Sequence, residues 1–205
     1  MPNDTVILGK RQEVWIRSIP SKAEVTLLSF LDSFNDTYQA HWDREAVYGR
    51  QDPISTFKNT DRIITFSLTI PSSSVDEAVE NAQKIWLLQR MLYPRYKTLD
   101  TTGDRVISTP PLIGVFFYPL ITEYSQEKGA HDYLYGTVDT VSMDPNLAEG
   151  WLFTDKRTPF PKSYSFSMTL NVIHQNPVGW SENGGRDLVT KKLGNKYSIQ
   201  KHFKG

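Results

Sequence analysis

The chain has no cysteine among its 205 residues. That excludes a disulfide scaffold, a thiolate metal site and a cysteine nucleophile, and it suits a reducing compartment. An excess of charge is also missing. Lysine plus arginine number 23 and aspartate plus glutamate 23, so the molecule carries no general attraction for nucleic acid or an anionic membrane. No apolar run approaches the roughly 18 residues of a membrane span. The stretch "MPNDTVILGKRQ" lacks the apolar core of a signal peptide, and the expectation is a soluble protein made in the cytoplasm. Neither a G-x-S-x-G elbow, a phosphate-cradling glycine loop, a G-x-G-x-x-G fingerprint nor an H-E-x-x-H pair occurs. With only four histidines, an enzyme is the weaker expectation.

What is present is mostly β pattern. "VWIRSI" suits a short strand closed by Pro20, and "AEVTLLSFL", Ala23 to Leu31, predicts a strand buried on both faces. "RIITFSLTIP" alternates Ile64, Phe66, Leu68 and Ile70 with Thr65, Ser67 and Thr69. "SYSFSMTLNVIH" does the same, with Tyr164, Phe166, Met168, Leu170 and Val172 against Ser163, Ser165, Ser167, Thr169 and Asn171. "PPLIGVFFYPL" predicts a buried strand and "DYLYGTVDTVSM" an alternating one, with the polar loop "TEYSQEKGAH" between them.

One helix is expected over residues 74–93. Ser74 and Glu77 have capping-box spacing, and Val75, Ala78, Val79, Ala82, Ile85, Trp86 and Leu92 form an apolar stripe with Asn81 facing water. The chain thus divides into an N-terminal arm (1–22), a β-rich domain (23–174) and a glycine- and lysine-rich C-terminal arm (175–205). The C-terminal arm interleaves basic residues with Tyr197 and Phe203; a docked protein partner is the stronger reading and nucleic acid the weaker.

The stretch "QAHWDREAVYGRQDPISTF", residues 39 to 57, concentrates ionisable groups. In a strand, His41, Asp43 and Glu45 would share a face and suit a cation, which is the metal-dependent hydrolase or lectin-like alternative. The competing reading is a structural loop that ends at the Asp52-Pro53 turn, its carboxylates neutralised locally by Arg44 and Arg50. The faces of small polar residues, Thr65, Ser67 and Thr69 with Ser165, Ser167, Thr169 and Asn171, suit either the wet side of a sandwich or the wall of a channel.

A succession of blocks carries a resemblance. Trp42, Val47, Tyr48, Gly49, Arg50, Asp52, Pro53, Asn59, Thr60 and Arg62 come first, then Tyr93 and Pro94 ending the helix, then Pro111, Gly150, Phe153, Pro161 and Lys162. From about Ala23 to His174 the chain resembles the tube-initiator, or tail-tube-junction, proteins of contractile-tail bacteriophage baseplates, a tail-tube-like family shared with contractile injection systems.

The resemblance implies a β-dominated α+β fold of two packed antiparallel sheets, a sandwich or barrel with one flanking helix. It implies no chemistry and no cofactor. It implies a homo-hexameric ring in the virion baseplate, assembled in the bacterial host cytoplasm, with a hub protein on one side and the tail-tube subunit on the other. DNA would pass through the channel without specific binding. Trp42, Arg44, Tyr48, Arg50, Asp52, Asn59 and Arg62 would then form an assembly loop, with Arg44, Arg50, Asp52 and Arg62 holding it by hydrogen bonds and ion pairs. A major tube subunit or tube terminator of the same fold is the alternative within the family.

Overall fold

The computed structural model describes residues 11–99, 103–121, 133–155 and 157–174. The expected loop at 122–131 and the C-terminal arm lie outside the described residues. The fold is β-dominated and antiparallel, with one α-helix. Six strands close into a barrel: β1 (Gln12–Ser18), β2 (Glu24–Glu45), β3 (Ile54–Pro71), β6 (Ile113–Phe116), β7 (Leu134–Pro145) and β10 (Ser163–Val172), in the order β1-β2-β3-β10-β7-β6. Two ribbons lie outside it, β4 (Arg95–Thr98) with β5 (Arg105–Thr109), and β8 (Trp151–Phe153) with β9 (Pro159–Pro161). Of the expected sandwich or barrel of two packed antiparallel sheets, the structure thus has the barrel form, with two small ribbons beside it.

The period-two pattern explains the barrel's interior. Ile64, Phe66, Leu68 and Ile70 of β3 and Phe166, Met168 and Leu170 of β10 are all buried, packed with Val14, Ile16, Leu27 and Val115. Each strand contributes its inward side chains because successive Cβ atoms point to opposite faces. The helix α1 (Val75–Met91) begins as expected: Ser74 Oγ accepts from the Glu77 N–H at 3.2 Å. Glu77 reaches back to Ser73 rather than Ser74, accepting from its N–H at 2.6 Å and its hydroxyl at 2.5 Å, and it also pairs with Arg11.

Four expectations need correction. The strand at Ala23–Leu31 runs on to Glu45, and it is not buried on both faces: Val25, Leu27 and Ser29 point inward while Leu28 is exposed. The N-terminal arm contributes a barrel strand, because β1 pairs with both β2 and β6 and closes the cylinder. On α1 the buried residues are Ala78, Asn81, Ala82, Ile85, Leu88 and Met91, so Trp86 faces solvent. Asn81, expected in water, is buried and donates to Ser72 Oγ at 3.0 Å, tying the helix to the end of β3.

Candidate functional site: a polar sheet face with two open edges

The barrel strands differ greatly in length, and this mismatch creates the site. β1 covers β2 only from Glu24 to Ser29, and β6 covers β7 only from Leu134 to Gly136. Beyond those points β2, from Phe30, and β7, from Thr137, have no neighbour on their outer side among the described residues. Between them lie β3, from Ile63 to Thr69, and β10, each paired on both sides. A four-stranded stretch of the barrel wall, β2-β3-β10-β7, is therefore left with an open edge on each side.

Its outer face is made of small polar residues in register. Ser33, Ser67, Ser167 and Ser142 form one row across the four strands, and Asn35, Thr65, Thr169 and Thr140 form the next. The rows hydrogen-bond sideways: Ser33 Oγ lies 2.7 Å from Ser67 Oγ, and Thr65 Oγ1 lies 3.3 Å from Thr169 Oγ1. The seven polar positions singled out in the sequence, Thr65, Ser67, Thr69, Ser165, Ser167, Thr169 and Asn171, are brought together on this one surface. Sequence reasoning missed the carboxylates at its margins. Asp32 accepts from Thr69 at 2.8 Å, Asp139 from Asn171 at 2.6 Å and Asp144 from Ser142 at 2.7 Å.

The ionisable stretch at residues 39 to 57 is mostly strand, with a loop only at residues 46–53. Residues 24–45 and 54–71 pair as one long antiparallel hairpin, from Phe30↔Thr69 to Glu45↔Ile54, so the distal part projects past the barrel as a two-stranded ribbon. Its tip closes with the Arg50 N–H donating to Val47 O at 3.2 Å, and Gly49 takes φ +85°, a conformation that glycine adopts without steric cost. Charges pair across the strands, not within the segment. His41 Nε2 lies 3.0 Å from Asp61, Lys58 Nζ 2.8 Å from Asp43, and Arg62 grips Asp36 through Nε at 3.0 Å and Nη2 at 2.7 Å.

Hence His41 and Asp43 are engaged by different partners, and among the described residues no three histidine, aspartate or glutamate side chains gather to hold a metal. The expected ion pairs of Arg44, Arg50 and Asp52 do not form with described residues; these side chains are exposed around the tip. Arg62 alone of the four meets the expectation. It also sits 5.2 Å from the centre of the Tyr38 ring, while burial pushes the Tyr38 hydroxyl up and holds the His174 imidazole below its usual range. Further out, Trp42 and Phe57 meet edge to face at 5.2 Å, both half exposed. Asn59 donates to Asp61 at 2.7 Å, and Tyr48 stands fully in solvent.

No family model matches the chain, and no curated protein does. Among the described residues no helix is long and apolar enough to cross a membrane.

Proposed function

We propose that this chain is a ring-forming structural subunit at the start of a contractile tail tube, a baseplate component of a phage-type virion assembled in the host cytoplasm. Six copies close around a channel; one rim seats on a hub protein and the other templates the tail-tube subunit. The tail-tube-like sandwich or barrel is the fold this reading requires.

One observation carries the reading: the four-stranded sheet has open edges of opposite direction. β2, β3, β10 and β7 alternate, so β2 and β7 run antiparallel to each other. In a head-to-tail ring, β7 of one copy meets β2 of the next and the alternation continues unbroken, with no edge left over. Natural edge strands are normally blunted by lysine, proline or a bulge. Here each edge has a bulge, at Asp32 and at Asp139, and β7 ends at Pro145, but Phe30–Trp42 and Thr137–Pro145 contain no lysine or arginine to repel a neighbouring strand.

Four strands from each of six copies make about 24 strands, and at about 4.8 Å spacing and a tilt near 40° the ring measures roughly 45–50 Å between opposite backbones. Side chains of serine and threonine narrow this little. A wall of hydroxyls already bonded to one another, with carboxylates rather than cations at its margins, gives phosphates nothing to grip, so DNA passes without being held.

The absence of cysteine supplies a clean test. Asn35→Cys is combined with Thr137→Cys, Thr140→Cys or Ser142→Cys in turn, and the protein is oxidised under conditions where assemblies are visible by electron microscopy. One combination should give a ladder of covalent oligomers ending at six. A ladder ending at two, or none from any combination in visible assemblies, refutes the β7-to-β2 ring. Many stacked rings of this chain in particles would assign it to the tube itself.

A further inference from the structure

The ribbon β4–β5 is exposed at nearly every residue. A two-stranded hairpin by itself is marginal in water, and three strands or a packed face are needed for stability. Neither outer edge of this ribbon has a partner among the described residues. Its side chains are unlike a solvated hairpin: Tyr96 lies directly across from Ile107, both more than half exposed, and Lys97 lies across from exposed Val106.

The ribbon follows α1 after a short turn, and the end of the helix adds to the same stretch of chain. Trp86, Gln89, Arg90, Leu92 and Tyr93 line a shallow depression of about 780 Å³. Trp86 and Tyr93 are 59% and 72% exposed, far more than a helix needs to offer water in large aromatics. Between Trp86 and Thr109 the sequence has Arg90, Arg95, Lys97 and Arg105 against Asp100 and Asp104. The chain as a whole is neutral, so this segment concentrates positive charge. Among the described residues none of the four cations has a carboxylate within ion-pair distance.

We infer that β4–β5 and the end of α1 form a docking surface for an acidic, extended segment of a partner protein. The segment adds as a third strand beside β4, its backbone completing that open edge, while alternate side chains place carboxylates on Arg95 and Lys97, which share a face of the ribbon. An apolar side chain of the partner fills the depression between Trp86 and Tyr93. Exposed tryptophan, tyrosine and arginine are the residue types that dominate binding energy at protein interfaces. Stacking of nucleic acid bases on the aromatics is the competing use; the aliphatic Leu92, Val106 and Ile107, which have no π-face for a base, favour the peptide. This inference does not rest on the ring reading, because it uses neither the polar face nor the edges of β2 and β7.

The test uses the full-length chain and fluorescence anisotropy with three labelled probes: a peptide of about twelve residues alternating glutamate and leucine, its lysine–leucine counterpart, and a single-stranded DNA of about 20 nucleotides. The acidic peptide should bind saturably and at least about tenfold tighter than either of the others. Arg95→Glu with Lys97→Glu should weaken it by about tenfold or more, and the weakening should shrink as salt is raised. Trp86→Ala should weaken it comparably at every salt concentration, since what it removes is apolar contact. These are exposed positions, so unfolding midpoints should stay near that of the parent. No saturable binding, equal binding of the lysine peptide, tighter binding of the DNA, or an unchanged affinity after charge reversal would each overturn the inference.

Discussion

Arg62 stands where the barrel ends and the free ribbon begins, and its replacement tests whether that junction is rigid. Arg62 and Asp36 are 16% and 21% exposed, against 57% and 65% for Lys58 and Asp43 further up the same ribbon. The two ion pairs therefore differ in solvation while sharing a scaffold. For Arg62→Ala, losing the bidentate charge-assisted contact to a mostly buried carboxylate costs about 1.5–3 kcal/mol, and the contact with the Tyr38 ring adds about 0.5–1 kcal/mol. Water reaches Asp36 in part, so the expected loss is about 2–3 kcal/mol. At about 2–4 °C per kcal/mol for a chain of this size, the melting temperature should fall by roughly 5–10 °C.

Lys58→Ala removes an exposed pair expected to contribute about 0.2–1 kcal/mol, hence a shift of no more than a few degrees. Thermal unfolding followed by circular dichroism measures both, and Asp36→Asn with the double variant closes a cycle that isolates the Arg62–Asp36 coupling. Equal small losses for Arg62→Ala and Lys58→Ala would refute the reasoning, because burial would then contribute nothing at the junction. Arg62→Lys should recover only part of the loss, since a single ammonium does not reproduce the two-pronged contact.

Thr140→Lys with Ser142→Lys on the open edge of β7 should leave the melting temperature nearly unchanged while abolishing higher assemblies seen by electron microscopy. Gly136→Ala should destabilise by about 2–3 kcal/mol in urea unfolding, because a Cβ there would lie 2.2 Å from the backbone oxygen of Asn171. Hydrogen bonds from the Ser73 hydroxyl and N–H, with help from Arg11, hold Glu77 below its ordinary 4.5. Its contribution is therefore full above that value and fades as pH falls through the lower folded value. Glu77→Gln should cost about 1 kcal/mol near neutrality, and the difference from the parent should close in acid, as read by unfolding at several pH values.

How much of this was visible in the residues depended on burial contrast. β10 and the end of β3 were legible because one face is core and the other wet: Phe166, Met168 and Leu170 are buried while Ser165 is exposed. The helix start was legible from Ser74, whose cap is a local interaction. The distal part of β2 was not, because "TYQAHWDRE" has solvent on both faces and so carries no alternation to detect. Trp86 was misplaced for the opposite reason: an apolar side chain on an outward face looks, in sequence, like core. β4–β5 gave no signal at all, being exposed throughout. The seven small polar positions of the candidate face were readable, but the rows they form depend on pairing between residues far apart, such as Ser167 with both Ser67 and Ser142. The carboxylates at the margins were hidden by the same distance.

A closed barrel ordinarily removes sheet edges, yet this one has two, and strand length explains how both facts hold. β1 covers only Glu24–Ser29 of β2 and β6 only Leu134–Gly136 of β7, at opposite ends of the four-stranded sheet, so the edges between those points stay open. The inner face between the open edges is itself core: Phe34, Phe66, Met168 and Val141 form one row across the four strands, with Phe66 and Met168 buried. Stability and assembly are thereby separated in one sheet: changes in the packed interior should lower the melting temperature, and changes on the polar face of the open edges should alter only the contacts between copies. A lysine at Thr140 and an alanine at Gly136, four residues apart on the same strand, should fail in these two different ways.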